Sequence, residues 1–102
     1  MDQRYLTVIG VGYWGKNLVR NYAELGVLHS ICDSNQELLK QCQAEHNVSK
    51  AFTDYREALK DESIKAVAIA APAVVHYEIV KAALLAGKDV FVEKPLALTV
   101  VD

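Results

Sequence analysis

The chain has 102 residues, 52% of them hydrophobic and 24% charged, with five Gly, two Pro and two Cys. That length holds one domain, and the apolar content excludes both a disordered chain and a disulfide-stapled miniprotein. Eleven basic against thirteen acidic residues leave a formal net charge of −2, so bulk charge attracts neither nucleic acid nor an anionic membrane. The longest apolar run, residues 66–75, is interrupted by Pro72 and is too short for a bilayer span. No leader-like segment opens the chain, and a soluble, cytoplasmic protein is expected.

Short β-branched runs alternate with segments of helical period. Residues 5–9 read as a strand, followed by a glycine cluster and a helix over 14–25, where Leu18, Tyr22 and Leu25 recur on one face and Gly26 supplies the stop. Residues 27–32 form a second strand. Ser34-Asn35-Gln36-Glu37 matches a capping box with Ser34 as the cap, opening a helix that runs to His46. Residues 50–52 predict a short third strand, and Asp54 sits well at the head of a short helix.

The unbroken apolar run 66–70 suits a strand covered on both faces, as in a parallel sheet. The helix after it places Val75, Ile79, Ala82 and Ala86 on one side and closes at Gly87, before a fifth strand over 89–92. The order βαβαβαβαβ predicts an α/β fold with a doubly wound parallel sheet and right-handed crossovers. A complete sheet of this kind usually carries a sixth strand. The sequence therefore reads as residues 1–102 of a longer protein, ending before that strand. Cys32 and Cys42, ten apart and outside any zinc-ligand spacing, read as buried free thiols rather than metal or redox sites.

Gly10-Val11-Gly12-Tyr13-Trp14-Gly15 is a GxGxxG lying between a strand and a helix. The first glycine permits the tight turn, the second lets backbone approach a pyrophosphate, and the third allows close helix–strand packing, while the helix N–H groups face the anion. Asp33 ends the second strand, eighteen residues past Gly15, where a carboxylate can bond ribose hydroxyls and repel a 2′-phosphate. Ser34, Asn35 and Gln36 supply no Arg for such a phosphate, so NAD is favoured over NADP as cofactor. Lys16 either faces solvent or offsets a bound phosphate, and Trp14 either packs on the sheet or covers the cofactor.

Ala71-Pro72 follows the fourth strand and Glu93-Lys94-Pro95 the fifth, so both fall on the ligand-binding edge of an open α/β sheet. A lysine leaving the apolar run 90–92 can be partly desolvated, which lowers its pKa towards acid–base use. A solvated Glu93-Lys94 pair beside a turn proline explains the same residues equally well. His76 lies in the first turn after Pro72, where the helix dipole favours the neutral ring. His29 and His46 have no partners at motif spacing and read as structural or surface residues.

In this order these pieces resemble the amino-terminal, NAD-binding Rossmann domain of the glucose–fructose oxidoreductase / inositol dehydrogenase (Gfo/Idh/MocA) family. The resemblance is carried by residues 8–15, Ile31-Cys32-Asp33, Ala71-Pro72 with His76, and Ala86-Gly87-Lys88 leading into Glu93-Lys94-Pro95. It implies hydride transfer between nicotinamide and a secondary hydroxyl of a sugar, inositol or similar polyol. It also implies Lys94 as the catalytic residue beside nicotinamide and substrate. Gly10, Gly12, Tyr13, Trp14, Gly15, Asp33, Ala71, Pro72, His76, Glu93 and Lys94 would line the cofactor, with no metal.

The family's substrate pocket belongs to a carboxyl-terminal α/β domain outside these residues, and family members commonly oligomerise through that domain. A homo-oligomer is expected of the whole protein, and cofactor binding with little or no turnover of this chain. Residues 12–21 look most like the branch that acts at the 3-hydroxyl of UDP-N-acetyl sugars. An inositol or simple-sugar dehydrogenase, or a non-catalytic NAD-binding module, stays open beside it. An S-adenosylmethionine site on the same fold leaves Pro72, His76 and Glu93-Lys94-Pro95 unexplained.

Overall fold

The computed structural model describes residues 4–70 and 73–92, and gives only the backbone for Tyr13, Trp14 and residues 73–76. Ala71, Pro72, Glu93 and Lys94 lie outside the described residues, as do the side chains of Tyr13, Trp14 and His76. The elements follow the expected alternation: β1 (Leu6–Ile9), α1 (Tyr13–Leu25), β2 (Leu28–Cys32), α2 (Gln36–His46), β3 (Ala51–Phe52), α3 (Tyr55–Lys60), β4 (Ala66–Ile69), α4 (Ala73–Leu85) and β5 (Asp89–Val92).

All pairings in the sheet are parallel and the strand order is β3-β2-β1-β4-β5. The chain thus winds outward through β2 and β3, then returns to the other side of β1 to build β4 and β5. This is the doubly wound arrangement read from the alternation, and its reversal of direction lies between β1 and β4.

Side chains alternate across the strands, so the sheet has two apolar faces. Leu6, Val8, Ala66 and Ala68 join Val19 of α1 and Leu39 and Cys42 of α2 on one face. Ile9, Val67 and Ile69 join Ala58 and Leu59 of α3 and Ile79 and Ala83 of α4 on the other. Every residue of β1 and β4 is buried, which accounts for the unbroken apolar run at 66–69. Two polar residues are buried as well. Thr7 and Ser30 face each other across the β1–β2 pairing, and the Ser30 hydroxyl donates to Thr7 Oγ1 at 2.8 Å, satisfying both in the interior.

The structure corrects three local expectations. The cap of α2 is Asn35, not Ser34: Asn35 Oδ1 accepts from the Glu37 and Leu38 N–H groups. The Asn35 N–H is itself drawn back to Asp33 Oδ1 at 2.8 Å, a turn that carries the chain one residue further before the helix begins. In α1, Leu25 is 70% exposed while Val19 is fully buried, so the inward stripe is centred on Val19 with Leu18, Tyr22 and Ala23 beside it. Among the described side chains of α4, Ile79 and Ala83 are buried and Ala82 packs beside them. Ala86 is exposed beyond the helix end, and the side chain of Val75 lies outside the described residues.

Candidate cofactor site

The carboxyl ends of β1, β2 and β3 meet along one edge, where the strand ladder continues into the loops. Gly10 N–H donates to the Cys32 carbonyl at 2.8 Å, and Asp33 N–H to the Phe52 carbonyl at 3.1 Å. Gly10 turns the chain off β1 with φ 95°, a conformation that L side chains rarely adopt. Gly12 then heads α1.

At Gly15 the helix passes so close to the strand that an added Cβ would overlap the Gly10 carbonyl oxygen and lie 3.7 Å from Ala70 Cβ. That is the packing role expected of the third glycine. Gly12 is the opposite case: a Cβ there would meet nothing within 4 Å. No described side chain caps α1 and no acid occupies its first turn, so the positive end of the helix faces the open side of Gly12. Lys16 is exposed. It lines a small groove with Gly12, Cys42 and Glu45 between α1 and α2.

Asp33 is half-buried and fixed at both oxygens. Its Oδ2 accepts the Val11 N–H of the glycine turn at 2.9 Å, and its Oδ1 accepts the Asn35 N–H. The carboxylate therefore locks the glycine turn to the end of β2. A carboxylate offers about four acceptor positions, so roughly two are left for hydroxyl donors. Gly10, Asp33 and Ser34 line a cleft of about 380 Å³ together with Thr53, Asp54 and Arg56 from the start of α3.

The α3 residues were not anticipated as part of the site. Asp54 caps α3, its Oδ1 accepting the Arg56 N–H at 2.9 Å and Arg56 Nε at 3.2 Å. The Arg56 guanidinium also stands 5.4 Å from the centre of the Tyr55 ring. The Arg56 backbone N–H, and then its guanidinium, hold the Asp54 carboxyl below the usual carboxylate range. Burial, followed by the Asp33 and Asp54 carboxylates, pushes the Cys32 thiol up to about 12. Burial likewise raises the Cys42 thiol to about 11. Both thiols are buried, free and protonated at neutral pH, in line with the structural reading. No group of three or more His, Cys, Asp or Glu among the described residues could hold a metal ion. None of their helices is long and apolar enough to cross a membrane.

Residues 5–102 match the sequence profile of the oxidoreductase family with an NAD-binding Rossmann fold that takes its name from glucose–fructose oxidoreductase, inositol dehydrogenase and MocA. The chain belongs to the Gfo/Idh/MocA family. It is an NAD-binding Rossmann domain, and the open Gly12 backbone, the uncapped α1 and the spare acceptor capacity of Asp33 fit a dinucleotide. Myo-inositol 2-dehydrogenase of Thermotoga maritima is 33% identical over 97 residues, covering 93% of this chain and 29% of that protein.

Among solved structures, scyllo-inositol dehydrogenase of Lactobacillus casei with bound NAD(H) and scyllo-inositol superposes with a TM-score of 0.82 at 29% identity, covering 92% of this chain and 28% of that one. UDP-N-acetylglucosamine 3-dehydrogenase of Acidithiobacillus ferrooxidans does so with a TM-score of 0.81 at 30% identity, covering 94% and 31%. The chain spans less than a third of the length of each of these relatives.

Proposed function

We propose that residues 1–102 are the cofactor-binding domain of an NAD-dependent dehydrogenase that acts on a secondary hydroxyl of a sugar, an inositol or a nucleotide sugar. The observation that carries this reading is the Asp33 carboxylate, held at the mouth of the cleft by the glycine turn it braces. Bound NAD supplies a hydride acceptor. The protein's part is to hold it: backbone around Gly10 and Gly12 lets the pyrophosphate approach α1, Gly15 keeps the helix against the strand, and Asp33 receives ribose hydroxyls while repelling a 2′-phosphate. Ala71, Pro72 and His76 follow β4, and Tyr13 and Trp14 open α1, completing the proposed lining.

Lys94 follows β5 by two residues, and with Glu93 and Pro95 it forms the motif that supports a catalytic role. Lys94 would orient the reacting hydroxyl and take or give its proton. Relatives that act on inositols and on a UDP-N-acetyl sugar both support a polyol-like substrate, and the segment 12–21 favours the nucleotide-sugar branch.

The test is a titration with NADH and with NADPH, exciting Trp14, the single tryptophan, and following energy transfer to the reduced nicotinamide. Saturable transfer with tighter NADH is expected, and equal affinities would remove Asp33 as a selector. In the full chain, Lys94→Ala should lower turnover by about 10²- to 10⁴-fold with NADH affinity little changed. Near-parental turnover in that variant would leave a non-catalytic NAD-binding module as the better reading.

A further inference from the structure

We infer that Asp54 and Arg56, at the head of α3, are specificity-determining residues for the cofactor: Asp54 holds Arg56 away from a 2′-phosphate and sets its own charge against one. The inference rests on the NAD reading of the cleft, and assigns part of its selectivity to residues outside the glycine turn and the β2 end.

Four observations support it. First, β2 and β3 are neighbours, with Cys32 paired to Phe52, and adjacent strands lie about 4.8 Å apart. The Asp33 N–H bond to the Phe52 carbonyl extends this pairing past the strand ends, so Asp33 and the segment 53–56 emerge side by side into one cleft. Second, Asp33 and Asp54 both line the cleft together with Cys32, and both carboxylates add to the upward push that burial gives its thiol. Third, Arg56 is the cation among the described residues that line the cleft, and its planar guanidinium is the side-chain group best matched to a phosphate. Asp54 engages it through Nε at 3.2 Å.

Fourth, Asp54 is not free to withdraw. Its Oδ1 is the cap of α3, so its charge stays in the cleft wherever Arg56 points. The Asp54–Arg56 pair is exposed, at 45% and 70%, and is weak enough to exchange partners. A 2′-phosphate that took Arg56 would then face two uncompensated carboxylates, Asp33 and Asp54. Without the Asp54 charge it would face one, with Arg56 released towards it.

The variant Asp54→Asn isolates this effect, because asparagine caps a helix as well as aspartate does and removes only the charge. NADH and NADPH dissociation constants would be measured on the full chain, with circular dichroism to confirm that each variant is folded. The expected result is a roughly threefold to tenfold gain in NADPH affinity with NADH within about twofold, and a smaller gain in Asp54→Asn/Arg56→Gln, which keeps the loss of the carboxylate but not the released guanidinium. An unchanged NADPH-to-NADH ratio in folded Asp54→Asn that still binds NADH overturns the inference and leaves the NAD reading intact. A gain that survives Arg56→Gln undiminished overturns the part assigned to Arg56. Failure of the folded parent to bind NADH overturns both readings at once.

Discussion

Gly12 and Gly15 lie three residues apart in one turn, yet they face opposite constraints. A side chain at Gly15 would collide with the Gly10 carbonyl, a backbone atom that cannot swing aside, whereas one at Gly12 would enter open space. Gly15→Ala should therefore force α1 off β1 and cost about 1–3 kcal/mol of stability. Gly12→Ala should leave stability within about 1 kcal/mol of the parent, since an alanine at a helix cap costs little more than the backbone freedom it removes from the unfolded chain. It should nonetheless weaken NADH binding at least several-fold, because the new methyl occupies the space in which a pyrophosphate would approach the backbone. Denaturant unfolding and NADH titration of the two variants check this. A Gly12→Ala protein with parental NADH affinity would separate Gly12 from the cofactor.

At the scale of elements, the alternation of strands and helices was legible because a buried parallel strand and an amphipathic helix carry different periods. What was misread depended on direction or distance. Leu25 keeps helical spacing with Leu18 and Tyr22, but Val19 marks the centre of the buried stripe, and Leu25 ends up on the outer side. Asn35 displaces Ser34 as a cap because Asp33 bends the chain first. Arg56 escaped notice as a cleft residue because only the β2–β3 pairing brings it beside Asp33, twenty-three positions away in sequence.

Lys88 is a similar case. It entered as part of a resemblance, and the structure supplies its physical reason. Its Nζ donates to the Asp61 carbonyl at 3.0 Å and the Ile64 carbonyl at 2.6 Å, tying the turn after α4 to the turn after α3. Asp61 is held in turn by the Ser63 N–H at 2.9 Å and Lys50 Nζ at 3.2 Å. Lys88→Met keeps the aliphatic stem and removes two charge-assisted bonds, at an expected cost of about 1–2 kcal/mol. For a domain of this size that corresponds to a melting temperature lower by about 5–10 °C, measured by circular dichroism. A variant that melts with the parent would show that water replaces the ammonium at both carbonyls.

Across the whole molecule the two edges of the sheet are specialised. The amino-terminal ends of the strands gather the Lys50–Asp61–Lys88 bracing and His29, whose Nδ1 is 3.0 Å from Ser30 Oγ. The carboxyl ends gather the glycine turn, Asp33 and the 380 Å³ cleft. Bracing one edge leaves the other free to carry groups chosen for a ligand rather than for the fold. The described groups on that edge suit the adenosine and pyrophosphate half of a dinucleotide, and the proposed reacting group, Lys94, follows β5 by two residues in the sequence.

Phe91 and Val92 of β5 are 52% and 39% exposed, and among the described residues no strand pairs the outer side of β5. Uncovered apolar strand of this kind favours pairing with further chain. Because the chain spans less than a third of the length of its relatives, the 102 residues alone are expected to bind NADH with a preference set at Asp33. They are expected to turn over inositols, hexoses or UDP-N-acetyl sugars at less than about 10⁻³ of the rate of a full-length family enzyme, since turnover needs substrate orientation and proton transfer together. Parallel NADH titration and nicotinamide absorbance assays on the isolated chain decide it. Binding without turnover supports a cofactor domain, and turnover at an appreciable fraction of an enzyme's rate would mean that residues 1–102 carry the whole reaction.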